Sequence, residues 1–332
     1  MLWTLPFFGT LPVQASEIAS RWDAFYIFLV VLSLIFFVIV FGAMIIFAVK
    51  YNKDRRAKAE YIEGNHLLEF FWTAIPTVIV MVIFVWGYVV YRDMVQAPSD
   101  AYEIRVIAKQ WLWQFQYETG RSEINKIYVP LNKPVKLVMT SEDVIHSFFV
   151  PNFRIKKDVV PGMYSQVWFK ATVLGEHHLF CAEYCGTSHS GMIGTVIVLN
   201  DQDWKNFLKG REIPAAGSTG AMGTAAAGEV AAPTMTMAER GRELSKTKGC
   251  VACHNDTGAA GGVAPTYKGL YGSTVEMTDG SKVVADDNYI RESIENPQAK
   301  IVKGYNPVMP MFKGLLKEDE INALIAYIKS VK

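Results

Sequence analysis

Twelve consecutive residues, Cys181 to Met192, carry an unusual concentration of side chains that bind metals. The stretch reads CAEYCGTSHSGM and holds two thiols, an imidazole, a thioether and a carboxylate. Thiolate, imidazole and thioether groups are ligands that redox-active copper selects, whereas calcium and magnesium take oxygen ligands. The stretch therefore indicates a copper site rather than a site for a hard cation.

A further histidine lies upstream, in the segment Ser141–Ser147, so two loops could assemble the site. The candidate ligands are His146, Cys181, Cys185, His189 and Met192. A single blue-copper ion uses one cysteine, two histidines and a weak axial group, so two bridging thiolates favour two coppers. Zinc is disfavoured because no second knuckle completes its usual ligand pattern. The alternative is a disulfide in a secreted loop, which would give the histidines and the methionine no role.

A second chemical signature, GCVACH, occupies Gly249–His254. The thiols of Cys250 and Cys253 are spaced to add to the vinyl groups of haem while His254 ligates iron, the pattern of c-type haem attachment. A thioredoxin-like dithiol is disfavoured because no strand precedes the motif and the histidine follows it at once.

An electron-transfer cytochrome with a raised potential needs a methionine as the second axial iron ligand. The segment Tyr305–Phe312 offers two methionines, Met309 and Met311. Met309 is preferred because it stands before Pro310, in a turn that leads to a predicted helix.

Two long apolar runs lie near the amino end, with predicted helices at about 24–49 and 68–91. At 1.5 Å per residue each crosses a hydrocarbon core of roughly 30 Å, which predicts a transmembrane hairpin over 24–95 rather than a buried hairpin of a soluble protein. The basic residues between the runs place that loop in the cytoplasm and both chain ends outside. They are Lys50, Lys53, Arg55, Arg56 and Lys58.

The first 23 residues form an N-terminal segment whose apolar part ends in Val13-Gln14-Ala15, a small-residue cleavage pattern. It contains no basic residue before this point. Two interpretations stay open, a weak signal peptide and an uncleaved segment lying at the membrane surface.

Short alternating apolar runs follow within residues 98–211 and predict an antiparallel β-sandwich or barrel. They cover residues 102–108, 111–117, 135–140, 165–172 and 192–199. Trp111 begins a run of aromatic residues at period two, and its place at the rim predicts that it is exposed and used.

Residues 212–233 are rich in Ala, Gly, Ser and Thr and predict a flexible linker. The remaining 234–332 are expected to form a small all-α haem domain, with helices at 238–246 and 318–331 beside the haem. The balance of 33 basic and 32 acidic residues argues against a nucleic-acid partner.

From Arg21 to Lys332 the chain resembles subunit II of the cytochrome c oxidases, in the bacterial form with a fused C-terminal cytochrome c domain. The most specific parts are Ser141–Ser147 with Cys181–Met192, which look like the dinuclear copper A motif, and the Cys-x-x-Cys-His pattern. The resemblance implies a multidomain membrane protein. Its parts would be a two-helix transmembrane hairpin, an all-β cupredoxin-like Greek-key sandwich and an all-α class I cytochrome c domain.

The resemblance also assigns a role to each copper ligand. Two histidines bind one copper each, two cysteines bridge both coppers, a methionine is a weak axial ligand, and a glutamate coordinates through its backbone carbonyl. In that order these residues are His146 and His189, Cys181 and Cys185, Met192, and Glu183. The side chain of Glu183 would also help to hold a magnesium ion at the boundary with subunit I.

Two further positions match functional residues of the family. Trp111 matches the position that receives electrons from cytochrome c, and Glu69 matches a glutamate near a proton-uptake path into subunit I. For Glu69, a charge that simply marks the helix end remains an equal alternative. His177 and His178 depart from the family pattern and are expected to be strand or surface residues.

The implied function is that of subunit II of a respiratory oxidase in the bacterial inner membrane, with its copper and haem domains on the periplasmic face. Electrons from cytochrome c or another periplasmic donor would pass through haem c and the dinuclear copper to subunit I. There dioxygen would be reduced to water with proton translocation. Subunit I and subunit III are the implied partners.

The main alternative is a membrane-anchored electron-transfer protein that works without an oxidase core. A quinol oxidase subunit II is disfavoured because that class lacks the copper ligands, and a copper carrier needs no covalent haem. A nitrous oxide reductase shares the copper motif but not the membrane helices. The predicted membrane runs contain no histidine, so this chain is not expected to form a dioxygen site itself.

Overall fold

The computed structural model describes residues 11–52, 54, 58, 61, 63–211, 213, 235–259 and 262–332. Most of the predicted linker at 212–233, the first ten residues and three basic residues of the membrane loop (Lys53, Arg55 and Arg56) lie outside the described residues.

Two long helices, α1 (Ala19–Lys50) and α2 (His66–Val95), form the predicted hairpin, and both are long and apolar enough to cross a membrane. With 32 residues, α1 extends about 48 Å. Each helix is longer than its predicted apolar run because charged residues continue it beyond the hydrocarbon. Asn65 caps α2, its side chain accepting hydrogen bonds from the amides of Leu67 and Leu68.

Ten strands between residues 102 and 199 form two packed five-stranded sheets within the described part of the chain. They are β1 (Tyr102–Lys109), β2 (Leu112–Tyr117), β3 (Ser122–Ile124), β4 (Lys126–Pro130), β5 (Pro134–Ser141), β6 (His146–Val150), β7 (Ile155–Val159), β8 (Ser165–Lys170), β9 (Gly175–Cys181) and β10 (Ile193–Leu199). The strand orders are β3-β2-β1-β5-β8 and β4-β10-β9-β6-β7. The first sheet joins β1 to β5 in parallel, and the second joins β10 to β4 in parallel.

The core lies between the sheets, and alternation along the strands explains why. In β5 the side chains of Val135, Leu137 and Met139 are fully buried, while the residues between them are only half-buried. Trp113 and Phe115 of β2 are also fully buried in this core. The prediction of a β-sandwich is confirmed, although the two parallel pairs were not anticipated.

The carboxyl-terminal domain is helical, as predicted, and follows a short helix α3 (Asp201–Leu208) that packs on the sandwich. Its helices are α4 (Met237–Thr247), α5 (Asp287–Glu295) and α6 (Glu318–Ser330). It also contains a small hairpin of β11 (Thr274–Glu276) and β12 (Lys282–Val284), which departs from the all-α prediction. A capping box between Thr236 and Glu239 starts α4.

Helices α4 and α6 cross in direct backbone contact. At the crossing, a β-carbon on Gly241 would overlap the carbonyl group of Ala323. Because the obstacle is backbone of the facing helix, no side-chain movement can relieve the overlap. Glycine is therefore required at position 241.

The carboxyl-terminal domain, which we call the haem domain, packs against the end of the sandwich that carries residues 182–192, which we call the copper loop. Leu112 and Ile124 of the sandwich are buried in the same apolar cluster as the core of the haem domain. Ser188 donates a hydrogen bond to the carbonyl of Ala252. Gly249 has a φ of 82° and lies close to Asn125. A β-carbon on Gly249 would come within 2.8 Å of the side-chain nitrogen Nδ2 of Asn125. Side chains of the sandwich thus meet the backbone of the haem domain at Gly249 and Ala252.

We predict that Gly241→Ala destabilises the haem domain by about 3 kcal/mol, because the added methyl group forces α4 and α6 apart. Chemical denaturation followed by circular dichroism of the full chain measures the change. The exposed Glu243 lies on the same helix and provides the control. Glu243→Ala should change stability by less than about 0.5 kcal/mol, and equal effects of the two substitutions would contradict the prediction.

Candidate copper and haem sites

Strand pairing brings the two halves of the metal-binding cluster together. His146 is the first residue of β6 and Cys181 the last residue of β9, and these strands pair antiparallel with Phe148 opposite Cys181. The chain then turns through residues 182–192 and returns as β10, which pairs with β9. The loop is therefore fixed at both of its ends by the second sheet.

All six predicted copper ligands converge at this place. The sulfur of Cys181 lies 3.9 Å from Nδ1 of His146 and 3.3 Å from the carbonyl oxygen of Glu183. The sulfur of Cys185 lies 3.4 Å from Nδ1 of His189 and 3.8 Å from the sulfur of Met192. The group is largely buried, since His146, Cys181, Cys185 and Met192 are all shielded from solvent.

The two cysteines are free thiols whose sulfur atoms lie 3.7 Å apart. That separation is well beyond the roughly 2.05 Å of a disulfide bond. Bonds of about 2.3 Å from each sulfur to a shared metal would span up to about 4.6 Å, so the separation suits bridging thiolates. The donor set of two thiolates, two imidazoles, a thioether and a carbonyl therefore fits two soft metal ions.

A carboxylate outside the ligand set orients His146. Asp143 lies 2.8 Å from Nε2 of His146 and accepts hydrogen bonds from the backbone amides of Gln110 and Val144. With Nε2 engaged, Nδ1 faces the cysteines. Burial alone would lower the pKa of His146, but the hydrogen bonds to Asp143 and Cys181 and the charges of these two groups together outweigh it and raise that pKa.

The two thiols differ in acidity. Burial alone would raise the pKa of Cys181, but hydrogen bonds from His146 and from the Ser147 backbone lower it to about 7. Burial, and then the charge of the neighbouring Cys181 thiolate, raise the pKa of Cys185 to about 12. A positive charge in the site is therefore needed before both sulfurs ionise at neutral pH.

Trp111 is buried, with 6% of its surface exposed, so the prediction that it is exposed at the rim is wrong. It lies in the turn before β2, where its indole nitrogen donates a 3.1 Å hydrogen bond to the carbonyl of Cys185. The side chain of Gln110 donates to the same carbonyl at 2.8 Å. Gly186 lies against the indole ring, and Trp111 also lines an apolar cleft of the haem domain, a contact that the sequence could not predict.

The haem domain contains an apolar cleft. Cys250, Cys253 and His254 line it, and so does Met309. Met311 does not line the cleft and is 48% exposed. Nδ1 of His254 lies 2.8 Å from the carbonyl of Pro265, which leaves Nε2 for iron. The residues that line this cleft fit a covalently attached haem.

Tyr267 is a residue of the cleft that sequence reasoning missed. Its ring stacks on the imidazole of His254, with centroids 4.8 Å apart and planes inclined by 10°. It packs edge-on against Tyr327, whose hydroxyl donates to Asp256. Together with the Pro265 carbonyl, this stack fixes the orientation of the histidine ring. The position of Tyr267, two residues after Pro265, is the sequence signal that could have identified it.

The other candidate residues lie away from both sites. Glu69 is in the first turn of α2, 3.2 Å from His66, where a carboxylate also favours the helix dipole. His177 is buried and interacts with Asn152 and with the carbonyl of Val173, while His178 is exposed on the same strand. Neither histidine is a metal ligand in this arrangement.

Comparison with known proteins gives the family. Models of the cytochrome c oxidase subunit II transmembrane and periplasmic domains match residues 6–90 and 121–200, and a cytochrome c model matches residues 238–332. Cytochrome c oxidase subunit 2 of Alkalihalophilus pseudofirmus is 31% identical over 308 residues, which cover 89% of this chain and 82% of that protein. The chain belongs to the cytochrome c oxidase subunit II family.

Other subunit II proteins are similar over shorter ranges. Cytochrome c oxidase subunit 2 of Thermostichus vulcanus is 31% identical over 258 residues, covering 60% of this chain and 78% of that protein. The crystal structure of the periplasmic domain of subunit II of the Bradyrhizobium japonicum oxidase is 29% identical. It covers 35% of this chain and 96% of that one, with a TM-score of 0.34.

Membership of the subunit II family, with a cytochrome c domain, implies a dinuclear copper centre and a covalent haem c. The donor set in the sandwich and the cleft in the haem domain fit these groups. The chain is thus a membrane-anchored component of electron transport, with a cupredoxin-like domain between the membrane helices and the cytochrome c domain.

We predict that Asp143→Asn lowers copper affinity roughly 10- to 100-fold, because the imidazole of His146 loses its carboxylate partner. Competition with a copper chelator on the full chain measures the affinity. The adjacent Glu142 is exposed and pairs with Lys109, so Glu142→Gln is the matched control and should leave affinity unchanged. An equal loss in both variants would show that local charge, rather than the orientation of His146, controls affinity.

Proposed function

We propose that this chain is subunit II of a bacterial respiratory cytochrome c oxidase. It takes electrons from cytochrome c or another periplasmic donor and delivers them to subunit I, where dioxygen is reduced to water with proton translocation. When bound, haem c and the dinuclear copper centre supply the one-electron redox chemistry. The described residues hold, orient and shield these two groups.

The observation that carries this proposal is the convergence of six soft or neutral donor atoms in one buried cluster beside the haem cleft. In the proposed assignment His146 and His189 would each hold one copper, and the thiolates of Cys181 and Cys185 would hold both. Met192 would add a weak thioether ligand, and Glu183 would coordinate through its carbonyl. Cys250 and Cys253 would attach the haem, and His254 and Met309 would ligate its iron.

The contact between the domains gives Trp111 a role within the chain. Gln110, Trp111 and Leu112 line the mouth of the haem cleft, and Trp111 is hydrogen-bonded to the carbonyl of Cys185. We propose that Trp111 receives electrons from the tethered haem domain rather than from a free cytochrome. The linker holds the haem domain near Trp111 at an effective concentration of about a millimolar, so electron transfer between them needs no diffusional encounter.

Apolar side chains around the copper loop support a contact with subunit I. The exposed residues are Val144, Ile145, Met163, Tyr164 and Tyr184. Exposed apolar groups concentrated in one region are typical of protein interfaces. The side chain of Glu183 is exposed in the same loop, and we propose that it helps to hold magnesium at this boundary. These exposed groups favour an oxidase subunit over an electron carrier that works alone.

The remaining parts of the proposal concern the membrane. Lys50 and Lys58 lie at the loop between α1 and α2, which we place on the cytoplasmic side of the bacterial inner membrane, with the copper and haem domains in the periplasm. Glu69 then lies near the cytoplasmic surface, where it could serve a proton path into subunit I. Subunit III is proposed as a further partner.

The test is a metal count and an optical spectrum of the purified full chain. We expect two coppers and one haem c per chain. Cys181→Ser/Cys185→Ser should lose both coppers and keep the haem, because the bridging thiolates are removed while the haem cleft is unchanged. One zinc per chain, or copper that survives the double substitution, would overturn the copper assignment.

A separate prediction distinguishes the two methionines of the segment Tyr305–Phe312. Met309→Leu should lower the reduction potential of the haem by on the order of 0.1 V, because a thioether ligand favours the reduced iron. Redox titration of the full chain measures this shift. Met311→Leu is the matched control and should leave the potential unchanged, since that side chain lies outside the cleft. The reverse pattern would reassign the ligand to Met311.

A further inference from the structure

The segment 12–17, which we call the strap, runs along the sandwich before α1 begins. The amide of Ala15 donates to the carbonyl of Asn152, and its carbonyl accepts from the amide of Thr172, both at 2.9 Å. The amide of Glu17 donates to the carbonyl of Lys170 at 3.0 Å. The side chain of Ser16 donates to the carbonyl of Phe153 at 2.8 Å. The strap therefore pairs with the sandwich as an added piece of edge strand.

Ala15 is also part of the hydrophobic core. Its side chain is fully buried in the same cluster as the interior of the sandwich. Ser16, the next residue, is 5% exposed. Cleavage after Ala15 would remove this core residue and leave a charged amino group on Ser16, in a place that water does not reach. A chain that begins at Ser16 would therefore lose this packing and both backbone hydrogen bonds of Ala15.

A buried ion pair joins the strap, the first membrane helix and the sandwich. Arg154 makes two hydrogen bonds to the carboxylate of Asp23 in α1, at 2.7 and 2.9 Å, and the two side chains are 5% and 0% exposed. Gln14 of the strap donates to the same carboxylate at 2.7 Å. The guanidinium also donates to the carbonyls of Pro12 and Pro151, both at 2.6 Å. The strap, α1 and the sandwich therefore all contribute to one hydrogen-bonded group.

The backbone at Arg154 supports the importance of this side chain. Its φ of 55° lies in the left-handed region, which glycine occupies at much lower cost. An arginine there, with its guanidinium buried and donating four hydrogen bonds, indicates that the side-chain interactions outweigh the backbone strain.

We infer that residues 12–17 remain in the mature protein and that Gln14, Asp23 and Arg154 set the copper domain on the membrane helices. Processing after Ala15 does not occur, although the Val13-Gln14-Ala15 pattern resembles a cleavage site. The junction fixes the sandwich relative to α1 without a metal ion, so this role is independent of the proposed electron transfer.

The first test is the mass and the amino-terminal sequence of the chain isolated from membranes of the native host. We expect peptides that contain residues 12–15, whatever the position of the first residue. A mature chain that begins at Ser16 would overturn the inference.

The second test is hydrogen exchange of the full chain in detergent, measured by mass spectrometry. Asp23→Asn should accelerate exchange at the strap amides of Ala15 and Glu17 at least about tenfold, because Arg154 and Gln14 lose the negative charge and one of the two oxygens to which they donate. Exchange in β10 should be unchanged, which excludes general unfolding.

The control is Arg21→Gln, which removes an ion pair to Asp93 at the same junction. That pair is exposed, with 56% and 27% of the two side chains accessible, so its loss should leave the strap protected. Equal exchange in Asp23→Asn and Arg21→Gln would mean that the buried pair does not hold the strap, and would overturn its assigned role.

Discussion

Two thiol groups must be held 3.7 Å apart in this protein without forming a bond to each other. Two negative charges at that distance repel by about 4 kcal/mol at an effective dielectric constant of 20. The site therefore favours one thiolate until positive charge arrives, which explains why the two thiols differ in acidity. The β6–β9 pairing and the return of the loop into β10 resist this repulsion, because both loop ends belong to one sheet.

The same sheet determines where the haem domain can lie. Asn125 stands between β3 and β4, accepts a hydrogen bond from the amide of Trp113, and faces Gly249 of the haem-attachment loop. Ser188 of the copper loop reaches Ala252 of that loop. Ser188, next to the proposed ligand His189, and Asn125 thus contact the haem-attachment loop, residues 249–254. The loop that carries the proposed copper ligands therefore also helps to dock the haem domain.

Local patterns in the sequence predict those elements that depend only on residues close to one another in the chain. The apolar runs of α1 and α2, the alternation in β5 and the GCVACH motif all have this character. The burial of Trp111 could not be predicted, because a domain more than 120 residues away in sequence covers it. Helix α1 begins at Ala19 and not at the predicted residue 24, because the prediction follows the apolar run, which starts only after the charged Asp23. A partner at position 154 allows that carboxylate to lie inside the helix. Strand β7 is not among the predicted runs, because three charged residues separate its two buried ends.

The crossing of α4 and α6 places the first and last helices of the haem domain in direct contact. A domain that is closed by its first and last helices has a core of its own and needs a single linker to join another protein. Such a domain can be added to a subunit II by changing the linker and the few residues, such as Leu112 and Ile124, that contact its core. The glycine at the helix crossing preserves this modularity, since it lets the two helices close the domain.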